Sequence, residues 1–226
     1  MNTVLTRALI LTGLVMMFFA GSSSAQPQAT LGRDYTLINP AQPTDSGKKI
    51  EVIEFFWYGC IHCYNLEGPI KAWLKRKPAD VEFRYVPAIF DPASWGPMAR
   101  AFYALDALGV GTKFHDEIFT AIHRDGVKAI VTDPRVMADW FANKGIEKQK
   151  FVDAYNSFAV NGRVKRSEDM TRSYDVPGTP AIAVDGKFMT GPSMAMNADG
   201  NPGYERFFQV LDQLIARARK ERAGQK

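Results

Sequence analysis

The residues best equipped for chemistry are Cys60 and Cys63, the two cysteines of a 226-residue chain, separated by Ile61 and His62. A disulfide stabilises mainly by closing a loop, and its effect grows with loop length. A bridge spanning two residues therefore adds little stability, and the pair calls for another explanation. The spacing alone serves metal sites, haem attachment and redox sites alike. Attachment of a c-type haem needs histidine directly after the second cysteine, where this chain has Tyr64. A structural zinc needs further ligands; there is no second such pair, and His115 and His123 fall on helical patterns that suit a surface or a helix end. A redox dithiol is the expected reading, with zinc and an inert disulfide as its bland alternatives.

The elements that must position the pair are legible on either side of it. Residues 50–57 form a compact apolar run of a length suited to a central buried strand, with Glu54 as its anomaly. After Tyr58-Gly59 the pattern turns helical, with Leu66, Ile70, Trp73 and Leu74 at spacings of three and four. Residues 81–86 alternate and predict a second inner strand. The cysteines thus fall where the first strand of a βαβ unit hands over to its helix. Unpaired N–H groups and the helix dipole stabilise an anion there, which would lower the pKa of Cys60. Cys63, one turn further in, should be more buried. His62 stands beside both sulfurs and, when protonated, favours thiolate. Each such interaction stabilises the reduced form and makes the disulfide a stronger oxidant.

Elsewhere, residues 35–38 suit a short edge strand, followed by a turn-rich stretch with Pro40, Pro43 and Gly47. Residues 93–160 read as helical, on stripes of Met98, Phe102 and Leu105; Phe114, Ile118 and Ile122; Val136, Trp140 and Phe141; and Phe151, Tyr155 and Phe158. Asp133-Pro134 opens the third of these. These aromatics are expected to be core rather than a ligand cage. A polar helix follows over 164–174. Residues 181–184 and 187–189 flank Asp185-Gly186, a type I′ hairpin signal, and 203–220 make a last amphipathic helix. Thr179-Pro180, just ahead of that hairpin, is expected to be a cis bond rather than a plain trans turn.

The chain opens as an address: Arg7, an apolar run over 8–21, and Ser23-Ser24-Ala25 as a cleavage site. The run is short for a membrane span, which takes about 20 residues. Cleavage after Ala25 leaves about 200 residues, enough for a substantial core. The formal charge of +4 is spread along the chain apart from Arg217, Arg219, Lys220 and Arg222. That basic end reads as the solvated last turns of a helix rather than a nucleic-acid surface.

Glu54 to Tyr64, with Cys60-Ile61-His62-Cys63 at its centre, together with Gly178-Thr179-Pro180-Ala181 and the terminal helix, resembles the DsbA family of periplasmic thiol:disulfide oxidoreductases. The resemblance implies an α/β thioredoxin fold, a central mixed β-sheet flanked by helices, with an inserted all-helical domain. Its expected bounds are a signal peptide over 1–25, thioredoxin-like segments over 26–91 and 161–226, and the insertion over 92–160. It implies that Cys60 is the exposed nucleophile, Cys63 the resolving thiol, and Thr179-Pro180 a loop packed on the disulfide that pairs with an extended substrate beside Ile61. A family acid beneath the active site matches Glu54, making it a proton acceptor or reservoir for Cys63; the bland reading is a strand-end glutamate reaching water. A carboxylate in a central strand is costly unless paired or protonated, and Arg84 on the next strand is its expected counter-charge.

The implied activity is donation of the disulfide to reduced, unfolded exported polypeptides in the periplasm, with no cofactor beyond the cysteines and no metal. The implied reoxidant is a DsbB-type membrane quinone reductase, and the chain is expected to act as a monomer. Two positions depart from the family pattern. Ile61 stands where proline is common, restoring a donor near Cys60 while giving up rigidity; Thr179 stands where valine is frequent. A DsbC-type isomerase would need an extra N-terminal dimerisation domain, for which residues 26–49 leave no room. A dedicated reductant, a narrow-specificity oxidase and a non-catalytic peptide-binding chaperone are the remaining rivals.

Overall fold

The structure, a computed structural model, describes residues 27–197, 199–201 and 203–224; the expected signal peptide lies outside them. The apolar run becomes β2 (Ile50–Phe56), buried along its whole length. It is followed by α1 (Ile61–Leu74) and β3 (Val81–Pro87), with β1 (Thr36–Leu37) ahead of them. Five helices come next: α2 (Pro92–Ala107), α3 (Gly111–His123), α4 (Pro134–Asn143), α5 (Lys148–Asn156) and α6 (Phe158–Ser173). The chain then returns as β4 (Ala181–Val184), β5 (Phe188–Thr190) and α7 (Tyr204–Ala223).

Among the described residues the strands form one mixed sheet in the order β1-β5-β4-β2-β3. Only the β2–β3 pair is parallel; β2 against β4, β4 against β5 and β5 against β1 are antiparallel. Strand alternation divides the side chains between two faces. Val52, Ile182 and Val184 pack under Leu66, Ile70 and Trp73 of α1 and Phe207, Leu211 and Leu214 of α7. Ile53, Phe55, Ala181 and Ala183 face Ile38, Tyr174 and Val176 on the other side. A third core, built from Met98, Phe114, Ile118, Met137, Phe141 and Phe151 of the helices after β3, is continuous with Phe56, Tyr58 and Cys63. This is the thioredoxin fold with inserted helices. None of the described helices is long and apolar enough to cross a membrane.

Local chemistry accounts for the boundaries. Asp91 and Asp133 cap α2 and α4, each accepting an N–H two residues on, with proline as the first helical residue. Ser157 ends α5 in extended backbone and caps α6 by accepting the Val160 N–H at 3.2 Å. That break corrects one expectation: Phe151 and Tyr155 are core residues of α5, but Phe158 opens α6 and is 93% exposed. Helix α6 runs unbroken through residue 160. Three of the basic residues at the end of α7 are tied down, Arg217 to Glu221 and the Tyr35 hydroxyl, Arg219 to Asp80, and Arg222 to Asp185.

The β4–β5 hairpin turns on Asp185 and Gly186, both with positive φ (55° and 63°). A Cβ on Gly186 would sit 2.0 Å from the Gln42 carbonyl oxygen, while the Gly186 carbonyl accepts the Gln42 N–H at 2.8 Å. Gly186→Ala is therefore expected to destabilise by about 2 kcal/mol or more, read as a lower urea midpoint at unchanged slope.

Candidate active site

Strand β2 ends at Phe56, and a tight turn through Trp57, Tyr58 and Gly59 delivers Cys60 as the N-cap of α1. The turn is closed by the Cys60 N–H donating to the Trp57 carbonyl at 2.9 Å. A Cβ on Gly59 would lie 2.4 Å from the Trp57 ring, so only glycine lets the indole fold over the turn. There it stacks on Trp95, with centroids 4.3 Å apart.

At the N-cap, Cys60 has extended backbone and its Sγ accepts the Cys63 N–H at 3.4 Å. Both cysteines are free thiols; Cys60 is partly exposed and Cys63 fully buried. Their acidities diverge accordingly. The hydrogen bond from the Cys63 thiol does most to lower the Cys60 pKa, to about 5. The Thr179 side chain and the Cys63 and His62 amides add to this against burial, which acts the other way. Burial pushes Cys63 well up, and the negative charge of Cys60 and Glu54 pushes it further. One sulfur is thus built to carry charge and the other to refuse it.

Thr179-Pro180 is a cis peptide, as is Asn39-Pro40. The Thr179 carbonyl lies 3.3 Å from Cys60 Sγ and accepts from it when Cys60 is protonated. His62, Thr179, Pro180, Met189, Met194 and Met196 line one open cavity of about 790 Å³ beside Cys60. The site residues expected on this face are therefore brought together. Ile61 is 46% exposed on the first turn of α1.

Glu54 is fully buried, and neither carboxyl oxygen has a hydrogen-bond partner. Burial raises its pKa well above the usual range, helped by negative charge on Glu67 and Cys60. The expected Arg84 counter-charge is corrected by strand register. Glu54 pairs with Tyr85, which puts Arg84 beside Ile53 on the opposite face; there Arg84 binds Glu51 at 3.1 Å and Asp45 at 3.2 Å. His115 is likewise not on the surface. It is buried between the Tyr58 hydroxyl and Glu67, and half-buried His123, at the end of α3, reaches the Tyr58 carbonyl. Tyr58 and Glu67 were missed in the sequence. Glu67 gave a signal, a carboxylate one turn after Cys63 and next to buried Leu66.

A sulfur held as an anion at a helix start, with a protonated partner behind it and a cis-proline loop across it, serves electron transfer between dithiols. On this sheet it defines a thioredoxin-fold thiol:disulfide oxidoreductase. Comparison with known proteins narrows the class. The family model of the DSBA-like thioredoxin domain matches residues 51–202. The thiol:disulfide interchange protein DsbA of Burkholderia cepacia is 39% identical over 217 residues, covering 95% of this chain and 96% of its own. That of Pseudomonas aeruginosa is 37% identical, covering 97% and 99%. Among solved structures, Pseudomonas aeruginosa DsbA E82I superposes with a TM-score of 0.77 at 37% identity, over 87% of this chain and 100% of its own. The oxidoreductase DsbA from Xylella fastidiosa gives 0.76 at 31% identity, over 86% and 100%. The chain belongs to the DsbA family and is a thiol:disulfide oxidoreductase.

The raised pKa of Glu54 has a sign that can be measured. Its folded value exceeds the unfolded value near 4.3, so its contribution is fully present below that pH and is lost as pH rises. Relative to Glu54→Gln, the oxidised protein is expected to lose up to about 1.4 kcal/mol per pH unit above that value until the carboxyl ionises. Urea unfolding of both oxidised proteins between pH 4 and 8 checks this.

Proposed function

We propose that Cys60 is the nucleophilic cysteine and Cys63 its resolving partner, and that the protein donates this disulfide to reduced polypeptides exported to the periplasm. The observation that carries the reading is the divergence of the two sulfurs, Cys60 lowered to about 5 at the N-cap and Cys63 pushed up in the core. A substrate thiolate attacks Cys60 Sγ in the oxidised protein, and the electron pair of the S–S bond leaves on Cys63. Buried Cys63 cannot keep that charge, and Glu54 beneath it holds a proton to give. A second substrate thiolate then attacks the substrate sulfur of the mixed disulfide and expels Cys60 as a stabilised thiolate. Two electrons pass from substrate to protein for each bond made. The reaction needs no cofactor beyond the two cysteines.

The Thr179 carbonyl beside Cys60 is an acceptor for the N–H of an extended substrate segment, in the manner of an added strand. The methionines of the adjoining cavity are adaptable packing for varied side chains. His62 lines the cavity wall two residues after the attacked sulfur, and Ile61 presents apolar surface on the same helical turn. Reoxidation by a DsbB-type quinone-linked membrane protein and action as a monomer complete the proposal; relatives named thiol:disulfide interchange protein support the exchange reaction itself.

Absorbance titration of the thiolate is expected to give a midpoint near pH 5 that Cys60→Ser removes, along with disulfide transfer to a reduced substrate protein. Because the folded value lies below the unfolded one, the stability of the reduced form should rise with pH from about 5 to about 8.5. Equilibration with glutathione is expected to give a strongly oxidising pair. A potential near the about −270 mV of thioredoxin, with an ordinary thiol, would sink the oxidase reading.

A further inference from the structure

Tyr58 is one of the two central residues of the turn that ends in Cys60, and it is held at both ends by α3. Its carbonyl lies 2.8 Å from His123 Nε2, and its hydroxyl lies 2.9 Å from His115 Nδ1. A carbonyl can only accept, so His123 donates through Nε2–H. On the other imidazole, Nε2 lies 3.2 Å from the Glu67 carboxylate, which also only accepts; Nε2 therefore carries a hydrogen, and in the neutral ring Nδ1 accepts from the Tyr58 hydroxyl. Burial, with Glu67 and Asp116 nearby, raises the Tyr58 pKa and keeps that hydroxyl protonated. Glu67 is anchored in turn by Lys71 at 3.3 Å, which also meets Asp116. His123 is fixed by stacking on Tyr64 of α1, with centroids 5.3 Å apart and planes 21° from parallel.

Packing alone does not require this arrangement. The Tyr58 ring already sits edge-on to Phe56 and Phe119, with centroids 5.0 and 4.9 Å away, and a phenylalanine would fill that space. The two imidazoles add control of the backbone. The Tyr58 peptide lies between the Trp57 carbonyl and the Cys60 N–H that close the turn, so its orientation decides where Cys60 enters α1. The contact that depends on this entry is the Cys63 N–H to Cys60 Sγ hydrogen bond at 3.4 Å.

We propose that the inserted helices set the reactivity of Cys60 by clamping Tyr58, with His123 on its carbonyl and His115 on its hydroxyl as positioning residues of the dithiol. The proposal rests on the assignment of Cys60 as the reactive thiol. The polar partners of the two histidines are Tyr58 and Glu67 rather than sulfur, so both act through the turn. Freed at either end, Tyr58 lets the turn relax and the N-cap contact lengthen, and the thiolate loses part of its support.

The test is the Cys60 thiolate titration and the glutathione equilibrium of the full protein and three variants. His123→Leu and Tyr58→Phe are expected to raise the titration midpoint by about one pH unit, a tenfold loss of thiolate stabilisation. The disulfide should become less oxidising by the same factor, about 30 mV. His123→Gln, whose amide can replace the Nε2–H, is expected to stay within about threefold of the wild type, or about half a pH unit. The clamp is overturned if His123→Leu and Tyr58→Phe titrate with the wild type while only their melting temperatures fall. If His123→Leu yields no folded protein, Tyr58→Phe, which keeps the ring, decides alone. An ordinary thiol in the wild type itself would refute the underlying assignment instead, so the two failures are separable.

Discussion

Everything in this molecule that bears on its chemistry depends on one contact, a sulfur placed as the N-cap of α1. An N-cap side chain meets the unpaired N–H groups and positive end of a helix; when that side chain is a cysteine, the same geometry favours thiolate. The helix then places the next cysteine one turn inward, where the core excludes charge. Two identical groups separated by two residues so acquire opposite preferences. A substrate meets one sulfur with a stable leaving form and another that must take up a proton. The direction of exchange follows from that inequality.

Holding the N-cap requires support from three directions. From behind, β2 brings a strand that is buried throughout and terminates it in a turn whose glycine admits the Trp57 ring. From the front, the loop before β4 sets the Thr179 carbonyl against the sulfur. From the side, the inserted helices share one apolar cluster with Phe56, Tyr58 and Cys63. The insertion is therefore a wall of the site as well as a cover for it. A close-packed wall transmits small displacements, which is why contacts made by α3 matter at Cys60.

Much of this was legible from residue order, because it rests on local pattern. The strand–helix–strand unit, the cysteines at its first turn, the Asp133-Pro134 helix start and the Asp185-Gly186 hairpin are each written in one contiguous stretch of sequence. The failures share a cause as well. Arg84 was placed with Glu54 from strand adjacency, but a one-residue difference in register moves a side chain to the other face. Phe158 continued an apolar spacing, yet Ser157, the residue directly after α5, offered a better cap than another helical turn. His115 was read as a surface or helix-end residue because its partners, Tyr58 and Glu67, lie on distant segments. Pairing across segments leaves no periodicity behind.

The polar groups beneath α1 are where local rules and global need diverge most. Glu54 lies in a central strand with both oxygens unpaired, whereas the buried Glu67 is met by His115 and Lys71. In an apolar core each such group costs a kcal/mol or more, on the order of 1–3. A hydrophobic residue at position 54 would pack as well and remove that cost. What it would not provide is a proton within the layer where Cys63 must become a thiol. Sites that break a folding rule without local compensation are those where function supplies the reason. On the proposed mechanism the reason is specific: a buried sulfur leaves a disulfide only if charge does not stay on it, and Glu54, a protonated carboxyl in the same buried layer, is the group that would relieve it.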